Sequence, residues 1–260
     1  VTPYDIERVL APLALAGKRA THNRVLVMLR PVFDAEKIAP NPCADFEKLA
    51  EMCREPGIFD PEQIAAIWYA LANPKAKCAE ATQGAIRLAT LTLKRGGEVA
   101  GARVSEFDLK EGIWNLPGAR TKNRKGEIVP LSRLACEIVQ RAISSPHRVE
   151  PPSSEDAVFF WGSQTSPIQQ NAMSRAFART KRLAGLADHR GTLHCIRHSG
   201  ATYLASKQIQ PHVVSEVMSH STVGSGGAAI TARYQKHKYT AEKREALTKW
   251  ESAIQVKLPD

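Results

Sequence analysis

No stretch of this chain approaches about eighteen consecutive apolar residues, so it carries no membrane-spanning helix signal. Cysteine is sparse. Cys43, Cys53, Cys78, Cys136 and Cys195 are odd in number, widely spaced and without a Cys-x-x-Cys pair. That argues against a disulfide framework or a structural zinc site and fits reduced thiols in a cytosolic or nucleoid setting. Sixteen Gly and sixteen Pro among 260 residues exclude a collagen-like or low-complexity polymer. The chain opens Val1-Thr2-Pro3-Tyr4, without Met or an apolar leader, and reads as a fragment or as a chain whose start has been removed. What remains is an ordinary globular mixture, 43% hydrophobic and 24% charged, with length for one large domain or two modest ones.

Acidic side chains are in deficit, 26 against 36 basic ones, which leaves a net charge of +10. Residues 1–56 hold eight of each sign, so residues 57–260 carry the whole excess. A polyanionic partner follows, nucleic acid or an anionic membrane surface. No basic amphipathic helix with a broad aromatic face stands out, which favours nucleic acid.

Thr2-Pro3 ahead of Tyr4-Asp5-Ile6-Glu7 predicts a helix start, with Ile6, Val9 and Leu10 at helical spacing. A second helix is expected over about 21–38, with Val25, Met28, Leu29, Val32 and Phe33 on one face, and residues 43–53 are expected to add a short third. Glu55-Pro56-Gly57 marks a linker. Asp60-Pro61-Glu62-Gln63 then opens a helix carrying Ile64, Ile67, Trp68 and Leu71. Residues 79–93 predict another helix, and 98–104 are expected to continue helically. The period then turns to alternation, with three short strands at 107–109, 113–116 and 127–131 and a basic hairpin tip over 117–126. Helices resume near 132–143, 168–184, 194–207, 211–219 and 240–254. The fold class is mainly α with a small three-stranded antiparallel sheet.

Taken singly, the polar residues have ordinary readings. Arg95, in Leu93-Lys94-Arg95-Gly96-Gly97-Glu98, is a solvated charge beside two helix-weakening glycines, and Glu98 a structural anchor for a helix end. Lys122 is a turn lysine, His220 a helix-end residue and Tyr234 an amphipathic surface tyrosine. His194 and His198 stand at i, i+4, as in a zinc protease helix, but Cys195 replaces the Glu such chemistry needs and no third ligand follows. His194 and Arg197 also share a face, and two such donors would suit a phosphate.

In chain order, Arg95, Lys122, His194, Arg197, His220 and Tyr234 resemble the tyrosine recombinase (phage integrase) family over essentially all of 57–260. The Lys243-Arg244-Glu245-Ala246-Leu247-Thr248-Lys249-Trp250 stretch resembles the tail of prophage and genomic-island integrases. The resemblance implies a catalytic domain over 59–260, a linker at 54–58 and, over 1–53, part of a helical core-DNA-binding domain. It makes Tyr234 the nucleophile, Arg95 and Arg197 the clamp on the phosphate oxygens, and Lys122 the general acid for the 5′-oxygen. His194 and His220 would hydrogen-bond the phosphate and help move the tyrosine proton. No cofactor and no metal are expected. Arg120, Arg124 and Lys125 at the hairpin tip, with Arg175, Arg179, Lys181 and Arg182, are candidates for phosphate contacts. This chain departs from the common pattern where Leu93-Lys94 replaces Thr-Gly before the first Arg, where Cys195 follows the first His, and where Ser219 replaces Gly or Asn before His220.

The implied activity is site-specific recombination of a mobile element, with double-stranded DNA at attachment sites as substrate. Four protomers on two duplexes, and DNA-bending or directionality factors, are the expected partners. The expected setting is bacterial or phage, cytoplasmic and nucleoid-associated, with no membrane. Two other readings stand beside it, a type IB topoisomerase that shares the chemistry and a non-catalytic DNA-binding regulator on the same fold. Tyr239 is the rival nucleophile.

Overall fold

The computed structural model describes residues 1–50, 57–148, 153–161, 163–219 and 239–256. His220 and Tyr234 lie outside them. The chain divides into two compact units, Val1–Glu55 and Pro56–Asp260.

In the first unit, α1 (Pro3–Leu15) starts where the sequence predicts. Thr2 and Asp5 form a reciprocal capping box ahead of Pro3. α2 (Arg19–Ala35) packs against it through Ile6, Leu10, Leu26 and Phe33, with Cys43 closing the cluster. The short third helix is not formed over the described residues 43–50. Side chains of α2 take the backbone groups that a helix would use. Asn23 donates to Leu49 O and accepts from Leu49 N, both at 2.8 Å, and Arg30 donates to the carbonyls of Cys43 and Phe46.

The second unit begins with α3 (Pro61–Ala70), whose Asp60 and Gln63 form another capping box. α4 (Glu80–Thr92) is buried along nearly its whole length, and α5 (Gly96–Ala100) follows after a sharp turn. The expected helical continuation to residue 104 stops at Ala100. Val104 N and Ser105 N bond to Asp156 O and Ser154 O instead, which pulls the chain off the helix axis. β1 (Phe107–Asp108), β2 (Ile113–Leu116) and β3 (Glu127–Pro130) form the expected antiparallel sheet, with Trp114 opposite both Phe107 and Val129. α6 (Arg133–Ile143) is capped by Ser132. A second ladder, β4 (Phe160–Trp161) with β5 (Ser163–Pro167), adds a two-stranded sheet that the sequence reading did not predict.

Then come α7 (Gln170–Leu183), α8 (Leu193–Ser206), α9 (Pro211–Val217) and α10 (Thr240–Ile254). Trp68, Trp114, Trp250, Phe159 and Phe177 fill one core. Trp250 of α10 donates to Thr90 O of α4 at 2.8 Å, so the last helix is anchored across the core by a satisfied indole. Among the described residues, no helix is long and apolar enough to cross a membrane.

Candidate active site

The site is built on α8. His194, Arg197 and His198 fall one turn apart on a single face. Arg197 is 3% exposed. Its guanidinium donates through Nη1 to Leu93 O and through Nη2 to Met218 O at 2.7 Å. One carbonyl lies just past α4 and the other just past α9, so a single side chain joins three helices. Burial pulls the Arg197 pKa down to about 10, with Arg95 acting in the same direction and Glu98 and Glu127 against it. The group therefore stays charged at neutral pH.

Arg95 caps α5. Glu98 accepts from Arg95 N at 2.9 Å and from its Nη1 at 2.8 Å. The Glu98 side chain is 3% exposed and that of Arg95 24%. A buried carboxylate thus fixes the direction of a partly open guanidinium. His194 is exposed, with its ring 5.2 Å from that of His198 in an edge-to-face arrangement. Lys122 is exposed in the segment between β2 and β3.

Arg95, Lys122, His194 and Arg197, drawn from the N-cap of α5, the segment between β2 and β3, and α8, line one cavity of about 700 Å³. Asn123, Met218 and Ser219 also line it; none of them is among the expected site residues, and Ser219 stands out only as a departure from the common pattern. His198 does carry one, through its spacing to His194, and it too lines the cavity. A void bordered by two guanidinium groups, an ammonium group and imidazoles is chemically suited to a phosphate. Among the described residues, no group of three or more His, Cys, Asp or Glu side chains could hold a metal ion. Tyr239 opens α10 with its ring 5.0 Å from that of His212 and is not among the described residues lining the cavity.

Beside Arg95, Lys94 is buried with three acceptors around its Nζ: Glu127 Oε1 at 2.5 Å, Ser219 Oγ at 2.8 Å and Val217 O at 2.9 Å. Ser219 Oγ donates in turn to Glu127 Oε2. Lys243 of α10 donates to Ile128 O at 2.5 Å and stands 3.5 Å from Glu127 Oε1. Burial lowers the Lys94 pKa to about 8, against the pull of Glu127 upward; Lys243 and Arg197 add to the lowering.

The phage integrase family matches residues 58–240, well over half of the chain. The chain belongs to that family. It is 27% identical over 166 residues to the prophage integrase IntA of Escherichia coli K12, covering 63% of this chain and 36% of that protein. It is 25% identical over 134 residues to the tyrosine recombinase XerC of Thermodesulfovibrio yellowstonii, covering 50% of this chain and 43% of the relative. It therefore spans less than half the length of these curated relatives. A crystal structure of lambda integrase residues 75–356, a dimer bound to a COC′ core site, superposes with a TM-score of 0.65 at 18% identity, over 85% of this chain and 79% of that one. The Tn1549 transposon integrase in complex with circular intermediate DNA superposes at 0.61 and 18% identity, over 94% and 84%. These likenesses establish the tyrosine-recombinase fold.

Within this integrase fold, the candidate phosphate contacts divide by where their charges already go. Arg120 donates to Gly101 O and Glu98 O and pairs with Glu106 at 3.0 Å, while Glu106 also accepts from Trp114 Nε1 at 2.8 Å. Arg179 donates to Ala76 O and Lys77 O at 2.9 and 3.0 Å. Lys181 donates to the carbonyls of His189 and Gly191. These three hold loops in place. Arg124, Lys125, Arg175 and Arg182 are exposed.

Proposed function

We propose that this chain carries the catalytic unit of a site-specific DNA recombinase. The convergence of Arg95, Lys122, His194 and Arg197 on one cavity is the observation that supports it most. In this reading, the phenolic oxygen of Tyr234 attacks the scissile phosphorus. A tyrosyl–phosphate bond forms and the bond from phosphorus to the 5′-oxygen breaks. The phosphate energy is kept as a 3′-phosphotyrosyl ester. Arg95 and Arg197 neutralise the non-bridging oxygens as charge builds on them. Lys122 protonates the departing 5′-oxygen, while His194 and His220 bond the phosphate and take up the tyrosine proton. A 5′-hydroxyl from a second duplex then reverses the step, which joins the exchanged strands.

Residues 1–53 serve as part of a core-DNA-binding domain and 59–260 as the catalytic domain. Arg124, Lys125 and Arg175 are favoured for backbone contacts because they are exposed. The working assembly is four copies on two synapsed duplexes at the attachment sites of a mobile element, in the nucleoid, with DNA-bending or directionality factors as further partners.

The test is a nicked suicide duplex from the element's junction, incubated with the chain in EDTA. A slow-migrating covalent adduct that maps to Tyr234 and disappears in Tyr234→Phe is expected. An adduct at Tyr239 would reassign the nucleophile. Binding without any adduct would favour a non-catalytic regulator, and relaxation of supercoils without a defined site would favour a topoisomerase.

A further inference from the structure

We propose that Lys94, Glu127 and Ser219 form a buried positioning network that fixes Arg197 by holding the two backbone turns whose carbonyls receive its guanidinium. The claim rests on the recombinase reading of the site.

Those carbonyls belong to Leu93 and Met218. The next residue in each case, Lys94 and Ser219, is joined to Glu127. Both turns are conformationally costly. Leu93 has φ +55° and Ser219 φ +47°, in the left-handed region that glycine enters freely and other L-residues resist. Each turn has its own restraint. The Leu93 side chain is seated against α8 at Gly200, where a Cβ would fall 2.5 Å from its methyl carbons. Ser219 is held by its hydroxyl, which accepts from Lys94 Nζ at 2.8 Å and donates to Glu127.

Lys94 carries three protons and has three acceptors, one on β3, one on Val217 and one on Ser219. It thereby ties the turn after α4 to the turn after α9 directly, and Glu127 ties both to the sheet. Lys243 of α10 adds a second cation, 3.5 Å from the same Glu127 oxygen that Lys94 bonds. Without the network, Ser219 keeps its backbone bond to Glu216 O but loses the side-chain bonds that offset its backbone conformation. The turn then relaxes and takes Met218 O away from Arg197. Lys94, Glu127 and Ser219 act through Arg197 and are positioning residues.

Residue type at 219 tests this. Ser219→Ala keeps the left-handed cost and removes the bonds, whereas Ser219→Gly removes both. Single-turnover cleavage of the suicide duplex and DNA affinity are measured separately on the full chain. Cleavage by Ser219→Ala is expected to be about tenfold slower than by Ser219→Gly, the scale set by the left-handed penalty, with affinity unchanged. Lys94→Met is expected to slow cleavage about tenfold beside Ser219 and only about twofold in the Ser219→Gly background. Glu127→Gln alone is a poorer probe, since it leaves Lys94 and Lys243 buried without a counter-charge. Equal cleavage by the Ala and Gly variants, or an equal cost of Lys94→Met in both backgrounds, overturns the network while leaving wild-type cleavage intact. If the wild-type chain forms no adduct on DNA it binds, the recombinase reading itself falls and takes this role with it.

Discussion

Arg197 and Lys122 border one cavity under opposite degrees of restraint. Arg197 is buried and bonded to carbonyls at the ends of two other helices, and those carbonyls lie next to a further buried network. Lys122 is exposed in a ten-residue basic segment braced by its own short-range hydrogen bonds, among them that of the Thr121 hydroxyl, whose one proton is shared between Gly118 O and Lys125 O. The difference follows from what each is proposed to do. A clamp that stabilises charge in a transition state must already be in place, because reorganising it during the reaction would cost what it gains. A general acid has only to reach one oxygen atom and can sit on a segment that DNA itself arranges.

The sharpest way to break this comparison is to weaken both residues and measure cleavage and stability together. Arg197→Lys is expected to cost about a thousandfold in single-turnover cleavage, because an ammonium cannot replace a forked guanidinium. It is also expected to lower stability by about 1–3 kcal/mol, since a buried carbonyl loses its donor. Lys122→Ala is expected to cost about a hundredfold in cleavage with an unchanged melting temperature. If Lys122→Ala destabilises the fold as much as Arg197→Lys, the distinction between a fixed clamp and an exposed acid is lost.

The same contrast runs through the basic residues of the hairpin. Arg120 stands at its base with its charge spent on Glu106 and on two carbonyls of the α5 region, while Arg124 stands exposed at its tip. Arg120→Ala is expected to destabilise by about 1–3 kcal/mol, because Glu106 keeps only its Trp114 bond at a buried position. Arg124→Ala is expected to leave stability unchanged and to lower the salt dependence of DNA binding by about one counterion. Thermal melts and affinity measured across a salt series separate the two. A reduced salt slope in Arg120→Ala at native stability would return that residue to the DNA-contact set.

These cases also mark where the sequence stops speaking. Arg95, Lys122, His194 and Arg197 were picked out by residue type and chain order, and they line one cavity; most helices were legible from their apolar spacing. The direction of a long side chain was not. Arg120, Arg179 and Lys181 were candidates for phosphate contacts, and each donates to backbone carbonyls, about twenty residues away for Arg120, about a hundred for Arg179 and eight to ten for Lys181. The Glu127 network was equally silent, since its members come from positions 94, 127, 219 and 243 with no local motif. Only the oddity of Lys94 and Ser219 in an otherwise familiar pattern hinted at it. β5, Ser-Gln-Thr-Ser-Pro, lacks the run of β-branched and aromatic residues that marks a strand, and so escaped notice.

Lys94 offers the subtlest contrast, between the folded and unfolded states of one group. Unfolded, it titrates near its ordinary value of 10.5; folded, burial holds it near 8. Between those values the unfolded chain binds more protons than the folded one. From this group, stability therefore rises with pH across that window and is flat below it. Other lysines and tyrosines titrate there as well, so the useful quantity is the difference between wild type and Lys94→Met in urea unfolding. The wild type is expected to gain on the variant as pH rises from about 7.5 to about 9.5, by a small fraction of the total stability. Parallel curves would mean that Lys94 titrates alike in both states. The cation would then not be confined by burial between Glu127, Lys243 and Arg197, and the Arg197 turns would need another source of restraint.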